Sequence, residues 1–83
     1  IDTYELEKEI SISPNPTSGV IKVKGENIKS IEVLNQLGQT VQLIEHPEKS
    51  NTVFVNLKKL ATGIYFFKIK TSKGILKKKI IKN

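Results

Sequence analysis

The fold of this chain is decided by one segment, Leu60-Ala61-Thr62-Gly63-Ile64-Tyr65-Phe66-Phe67. A glycine leads here into a run of β-branched and aromatic residues, which are the residue types most enriched in strands. Apolar side chains then continue at every second position as far as Ile69, which is the spacing of a strand with one buried face. The segment therefore predicts a strand at Ile64–Thr71 that carries part of the core.

The same alternation recurs on both sides of this segment, and no stretch of helical length has an apolar stripe at helical spacing. Two turns have specific chemistry. Asn35 and Gly38 stand first and fourth in a type I turn or bulged hairpin, and Ser72-Lys73-Gly74 supplies a second tight reversal. Both turns predict antiparallel neighbours. We expect seven strands in an all-β chain: Glu9–Ser13, Val20–Lys24, Lys29–Leu34, Thr40–Ile44, Thr52–Leu57, Ile64–Thr71 and Ile75–Ile81.

One face of these strands collects enough apolar side chains to fill the space between two sheets. Seven short antiparallel strands predict an immunoglobulin-like antiparallel β-sandwich, although a small barrel has the same pattern. The spacing of Leu60, Gly63 and Tyr65 favours the sandwich, because it resembles the tyrosine corner before the sixth strand of many such domains. The expected core is Ile10, Ile12, Ile21, Val23, Ile31, Val33, Val41, Leu43, Val53, Val55, Leu57, Tyr65, Phe67, Ile69, Leu76 and Ile80.

Two other segments stand out near the two ends of the sequence. Pro14-Asn15-Pro16 holds an asparagine between two residues of fixed φ, which predicts a rigid corner, and Gly19 is expected to take a positive φ after it. The last strand and its end carry a high positive charge, from Lys77, Lys78, Lys79 and Lys82. An exposed main-chain edge with cations suits strand addition to a partner, and it equally suits protection against unwanted pairing.

Charge is unevenly distributed over the 83 residues. The net charge of +6 comes from 14 lysines without any arginine, and residues 1–9 hold four acidic side chains against one lysine. We therefore expect residues 1–9 to be an acidic, solvated linker, and residues 10–83 to form one basic domain. The chain has no initiator methionine, and we expect it to be part of a larger protein.

Composition argues against several classes of function. Nucleic-acid recognition favours the planar guanidinium group of arginine for reading bases and exposed aromatic rings for stacking on them. The chain has no arginine and few aromatic residues, so we expect no nucleic-acid partner. No apolar run is long enough to predict a membrane span. The chain has no cysteine and a single histidine, His46, which lies in a polar loop and is expected to be solvated. No catalytic constellation can be assembled from these residues, and we expect no enzyme activity, no cofactor and no metal site.

Four segments together resemble the C-terminal sorting domain of the type IX secretion system. They are the Pro14-Asn15-Pro16 corner, the turn from Asn35 to Gly38, the segment from Leu60 to Tyr65 and the lysine-rich tail from Lys77 to Lys82. They occur in the family's order and spacing over roughly residues 10–83. The chain departs from the family pattern at Ser13, where the family often has a bulky residue, and residues 1–9 have no recognisable cleavage signature.

The resemblance implies a non-catalytic signal that directs a larger exported protein across the outer membrane. The implied partners are shuttle and translocon proteins of the type IX system, and a sortase-like cysteine protease that commonly removes the domain. The cargo passes through the periplasm and is then released or attached to the cell surface. The implied recognition residues are Pro14, Asn15, Pro16, Gly19, Gly38, Gly63, Tyr65, Lys77, Lys78, Lys79, Ile80, Ile81 and Lys82.

An alternative reading is an immunoglobulin-like accessory module that binds carbohydrate or spaces an enzyme from the cell surface. Such modules usually expose tryptophan or tyrosine for stacking on sugars. This chain has no tryptophan and only two tyrosines. Phe54 and Phe66 are both expected on the outward face, where a phenylalanine pair would form a docking patch, a self-association surface or an alternate packing face.

Overall fold

A computed structural model of the chain describes residues 9–15, 18–45 and 51–83. The predicted linker and the loop around His46 therefore fall largely outside the described residues. These described ranges contain seven strands, whose ends differ from the predicted ends by no more than two residues. They are β1 (Ser11–Ser13), β2 (Val20–Lys24), β3 (Ile28–Leu34), β4 (Thr40–Glu45), β5 (Thr52–Asn56), β6 (Gly63–Thr71) and β7 (Gly74–Lys82).

The strands form two antiparallel sheets, one of three strands in the order β1-β2-β5 and one of four in the order β4-β3-β6-β7. This confirms the predicted all-β sandwich. The fourth strand pairs with the third and not with the fifth, which distinguishes the order from that of constant-type immunoglobulin domains. Strand β7 lies at one edge of the four-stranded sheet, and its nine residues pair with β6 without a register shift.

The core lies between the two sheets and is built from alternate positions of both. The largest fully buried side chains include Phe67, Ile21 and Ile31. Each such side chain contributes roughly 1.5–3 kcal/mol on burial, against the entropy of ordering its residue. The buried apolar set is Ile10, Ile21, Val23, Ile28, Ile31, Val33, Val53, Val55, Leu57, Tyr65, Phe67, Ile69, Leu76 and Ile80.

Strand β4 has the opposite phase from the one expected. Val41 and Leu43 were predicted in the core but are 39% and 56% exposed, whereas Ile44 packs against the core. The reason is the β3–β4 pairing, in which Gln42 lies opposite Val33 and Thr40 lies opposite the next residue of β3. This register shift gives β4 one extra residue, and a change of one residue moves a strand's side chains to the other face.

Gly19 also differs from expectation, because positive φ among the described glycines occurs only at Gly38, Gly63 and Gly74. Its constraint is space. A Cβ atom on Gly19 would lie 2.8 Å from the Cγ of Lys58, a contact that real Cβ atoms essentially never make. The carbonyl of Gly19 also accepts a hydrogen bond of 2.8 Å from the amide of Leu57, which ties the start of β2 to the end of β5.

Candidate functional site

The chain leaves β1 through a cis peptide bond between Ser13 and Pro14, and Asn15 then lies beside the outer edge of β7. The Asn15 side chain makes two hydrogen bonds there. Its Nδ2 donates to the main-chain oxygen of Lys79 over 3.1 Å, and its Oδ1 accepts from the main-chain N–H of Ile81 over 3.2 Å. One amide group thus pairs with two main-chain groups of β7, as a neighbouring strand would.

This contact joins the two sheets of the sandwich, because β1 belongs to the three-stranded sheet and β7 to the other. It also joins two segments that sequence reasoning had singled out separately. Asn15 and Lys79 are 64 residues apart in the chain, and no local pattern predicts that their positions coincide. Pro16, the other proline of the predicted corner, lies outside the described residues. We refer to the surface formed by Pro14, Asn15 and strand β7 as the corner–strand surface.

The lysines of β7 divide between its two faces. Lys77 and Lys79 are exposed on the outer face of the four-stranded sheet, where Ile81 is 39% exposed beside them. Lys78 is half-buried and shares the inner face with Ile80, which is fully buried in the core. Two lysines of the predicted tail therefore face solvent on the outer face, while Ile80 serves packing.

Lys82 is 8% exposed, an unexpected degree of burial for a lysine. It lies opposite Gly63 at the end of the β6–β7 pairing. In the described part of the chain no fully buried side-chain nitrogen or oxygen lacks a hydrogen bond. The Lys82 side chain makes no hydrogen bond within these residues, so its ammonium group reaches water at the tip of a buried aliphatic stem, as long cationic side chains commonly do.

The outer face of the four-stranded sheet combines cations with apolar side chains. Leu34, Phe66 and Lys79 lie side by side across three strands, and Glu32, Lys68 and Lys77 form the next row. Between the β3–β4 turn and β7 this face has a shallow cleft of about 240 Å³ lined by Leu34, Asn35, Gln36, Gly38, Phe66 and Lys77. The corner–strand surface borders a face with basic and apolar character.

The Leu-x-x-Gly-x-Tyr segment forms the tyrosine corner that the sequence predicts. Tyr65 is 8% exposed, and its hydroxyl donates a hydrogen bond of 2.6 Å to the main-chain oxygen of Ala61. Gly63 has a φ of 157°, which side chains rarely tolerate. Both residues act on the fold, since they fix the entry of β6 and do not present a polar group to a partner.

The Asn-x-x-Gly turn is held by its own asparagine. The Oδ1 of Asn35 accepts hydrogen bonds from the amides of Leu37 and Gln39, over 2.9 and 3.0 Å, and its main-chain oxygen accepts from the amide of Gly38 over 3.0 Å. Gly38 has a φ of 82°, which glycine adopts without steric cost. The turn leaves Leu37 83% exposed at its tip.

The family model for the secretion-system C-terminal sorting domain matches residues 11–83. The chain belongs to this family. It is therefore a sorting signal of type IX secretion, whose cargo is exported to the cell surface or the extracellular space and which interacts with the type IX machinery. The family is in general non-catalytic. A search of the curated proteins found no significant match to the chain.

The two phenylalanines predicted to face outward do not form a pair in this sorting domain. Phe54 is 65% exposed on β5 of the three-stranded sheet, opposite Lys22 of β2. Phe66 is half-buried on β6 of the other sheet. The suggested docking patch made of both rings is therefore wrong, and only Phe66 lies on the face that continues into the corner–strand surface.

The described ranges of the sorting domain contain no group of three or more histidine, cysteine or acidic side chains that could hold a metal ion. Glu9 and Lys73 form an ion pair of 3.0 Å, but both side chains are more than 40% exposed, and such pairs contribute about 0–1 kcal/mol. No helix in these ranges is long and apolar enough to cross a membrane.

Sequence reasoning named Ile81 but missed a second exposed aliphatic side chain beside the lysines of β7, that of Ile75. Ile75 is 50% exposed and lies on the same face as Lys77 and Lys79. The signal was present in the alternation, since Ile75 and Ile81 fall in phase with those lysines. It was overlooked because the sequence analysis assigned the other phase of this strand, Leu76 and Ile80, to the core and described the outer phase by its lysines alone.

Proposed function

We propose that residues 10–83 are the sorting domain proper and that residues 1–9 are the linker to an upstream cargo domain. In this proposal the domain is recognised in the periplasm, after inner-membrane export, by shuttle and translocon proteins of the type IX system. It folds before recognition, because the features that we assign to binding lie on one surface of a packed sandwich.

The observation that carries this proposal is the pairing of Asn15 with Lys79 and Ile81 over 3.1 and 3.2 Å. Neither the corner nor the final strand is distinctive alone, since prolines are common in loops and lysines are common on edge strands. Combined on one surface they define a feature with a fixed shape and a local positive charge. A receptor can thereby distinguish a folded sorting domain from an unfolded lysine-rich tail.

The proposed recognition residues are Pro14, Asn15, Lys77, Lys79 and Ile81, all of which are exposed. Gly19, Gly38, Gly63, Tyr65, Ile80 and Lys82 support recognition indirectly, because they hold turns, the core or the end of β7 in position. Lys78 shares the inner face with this second group. The proposal therefore divides the family pattern into residues that contact the machinery and residues that shape the surface.

After translocation, the domain is removed by a sortase-like cysteine protease, and the cargo is released or attached to surface lipopolysaccharide. In this proposal the cut lies ahead of β1, which begins at Ser11, so that the whole sandwich is removed. We propose that the chain itself is not an enzyme. The sequence has no cysteine and a single histidine, His46, which lies outside the described residues.

The proposal is tested by fusing residues 1–83 to a fluorescent cargo that carries an inner-membrane signal peptide. In a type IX-competent strain we expect the cargo outside the cell, and in a strain without the translocon we expect it in the periplasm. Retention in both strains would refute the sorting role of these 83 residues.

A pair of double variants tests the assignment of lysines in the same assay. Lys77→Gln/Lys79→Gln removes two charges from the corner–strand surface, and we expect it to reduce export. Lys22→Gln/Lys24→Gln removes two exposed charges from the other sheet and serves as the matched control. Equal export by both double variants would contradict a specific role for the β7 lysines.

A further inference from the structure

Strand β7 directs the main-chain N–H and C=O groups of every second residue away from the sheet, and only some of these groups are hydrogen-bonded. N–H and C=O groups of alternate residues in a strand point to opposite sides. Asn15 binds the oxygen of Lys79 and the N–H of Ile81, so these two residues direct their main-chain groups away from β6. The β6–β7 register has no shift, and the same direction therefore applies to Ile75 and Lys77.

The turn between β6 and β7 supports this assignment independently. Thr71 pairs with Gly74 across a two-residue loop, and in such hairpins the flanking pair is hydrogen-bonded. Ile75 then belongs to a pair whose main-chain groups point outward. Within the described ranges no hydrogen bond is made by the outward N–H and C=O groups of Ile75 and Lys77.

The other sheet edges are less suited to pairing with a further strand. Strand β1 has three residues and β5 has five, and the pairing of β4 contains a register shift. Short strands and bulges are devices that protect sheet edges. Strand β7 is nine residues long and regular, so it offers the best template for strand addition among the described edges.

We propose that the outer edge of β7, from Ile75 to the N–H of Lys79, binds an extended segment of a partner protein by strand addition. The segment would be a strand with an acidic side chain opposite Lys77 and an apolar side chain opposite Ile75. That this partner belongs to the export machinery rests on the proposed function. The mode of binding rests on the edge alone.

Charge complementarity selects this occupant. Lys77 and Lys79 are exposed on the face where the side chains of an added strand would lie, with Lys68 adjacent to Lys77 on β6. The nearby carboxylate of Glu32 is two strands away from β7 and accepts a hydrogen bond from Thr40. A second copy of β7 would place lysines beside lysines, and like charges opposite one another destabilise a strand pair.

Asn15 sets the limit of this site. It occupies the oxygen of Lys79 and the N–H of Ile81, so an added strand can continue along the edge only as far as Lys79. The corner thus fixes the length and register of the partner segment, and Asn15→Ala would open the edge toward Ile81.

The test uses residues 1–83 and a short capped peptide with valine and glutamate two positions apart and threonine between and beside them, so that the valine and the glutamate lie on one face of the added strand. Binding is followed by NMR titration of the backbone amides. We expect the largest shifts at the amides of Ile75, Lys77 and Lys79, and no comparable shifts for a peptide in which lysine replaces glutamate. Saturating peptide without shifts on β7 would overturn the proposal.

Two variants establish that the edge and its charge are responsible. Lys77→Pro removes an outward N–H without removing a β6–β7 hydrogen bond, since proline is tolerated on edge strands at such positions, and we expect binding to weaken about tenfold or more. Lys77→Glu should reverse the preference from the glutamate peptide to the lysine peptide. If Lys77→Pro does not fold, Lys77→Glu decides, and an unchanged preference refutes the proposal.

The outcome is separable from that of the proposed function. A parent domain that exports its cargo but does not bind the peptide on β7 refutes strand addition and leaves the sorting role intact. A domain that binds the peptide but does not export its cargo refutes the sorting role of these residues and leaves the edge site intact.

Discussion

The link between the corner and β7 can be tested by replacing Asn15 with alanine. The substitution removes the two hydrogen bonds to Lys79 and Ile81 and leaves the core unchanged. A hydrogen bond contributes about 0.5–1.5 kcal/mol net, and exposure places both bonds toward the lower end, for a total of about 1–2 kcal/mol. A loss of about 1 kcal/mol lowers the melting temperature of a domain this small by roughly 4–8 °C, so we expect a decrease of about 4–16 °C.

Thermal unfolding followed by circular dichroism measures the change, and hydrogen exchange locates it. The amide of Ile81 loses its acceptor in Asn15→Ala, so its exchange should accelerate more than that of the core amide of Phe67. Asn51→Ala is the matched control, because the Asn51 side chain makes no hydrogen bond in the described part of the chain. A melting temperature equal to that of the control, with unchanged exchange at Ile81, would refute the link.

Three further predictions concern the fold. Tyr65→Phe removes the hydroxyl hydrogen bond of the tyrosine corner and should cost about 1–2 kcal/mol by denaturant unfolding; no loss of stability would contradict this role. Ile44→Ser should destabilise the domain by about 1–2 kcal/mol, whereas Leu43→Ser should change its stability by less than about 0.5 kcal/mol; the reverse order would contradict the phase of β4. Lys82→Ala should cost about 1 kcal/mol more than Lys79→Ala, because its aliphatic stem is buried; equal unfolding midpoints would contradict that burial.

Much of the fold could be predicted because its signals are local. The strand at β6 follows from period-two alternation, and the tyrosine corner follows from the spacing of Leu60, Gly63 and Tyr65. The turn at Asn35 is likewise encoded in a few adjacent residues, since the asparagine side chain bonds to amides two and four positions further along. The family resemblance rests on the same local segments.

The phase of β4 could not be predicted because it depends on pairing. Its sequence has apolar residues in both phases, with Val41 and Leu43 in one and Ile44 in the other. The turn and the bulge set the register against β3, and that register buries Ile44. Gln42 is tolerated on the inner face because β4 is an edge strand, so this side chain lies near solvent at the rim of the core.

The corner–strand surface was even harder to predict from the sequence than the phase of β4. Its members are contributed by the exit from β1 and by the last strand, and the hydrogen bonds of Asn15 connect residues 64 and 66 positions apart. The prolines of the corner and the lysines of β7 made both segments stand out in the sequence. Only the sandwich topology brings them together, because it positions β7 at the sheet edge next to the corner.

The most direct test of the corner–strand surface compares export of a fluorescent cargo by Asn15→Ala and by Tyr65→Phe. Both substitutions are expected to cost about 1–2 kcal/mol, but only the first alters the corner–strand surface. We predict that Asn15→Ala reduces the fraction of cargo outside the cell while Tyr65→Phe exports like the parent domain. Equal export by the two variants at matched stability would contradict recognition of this surface.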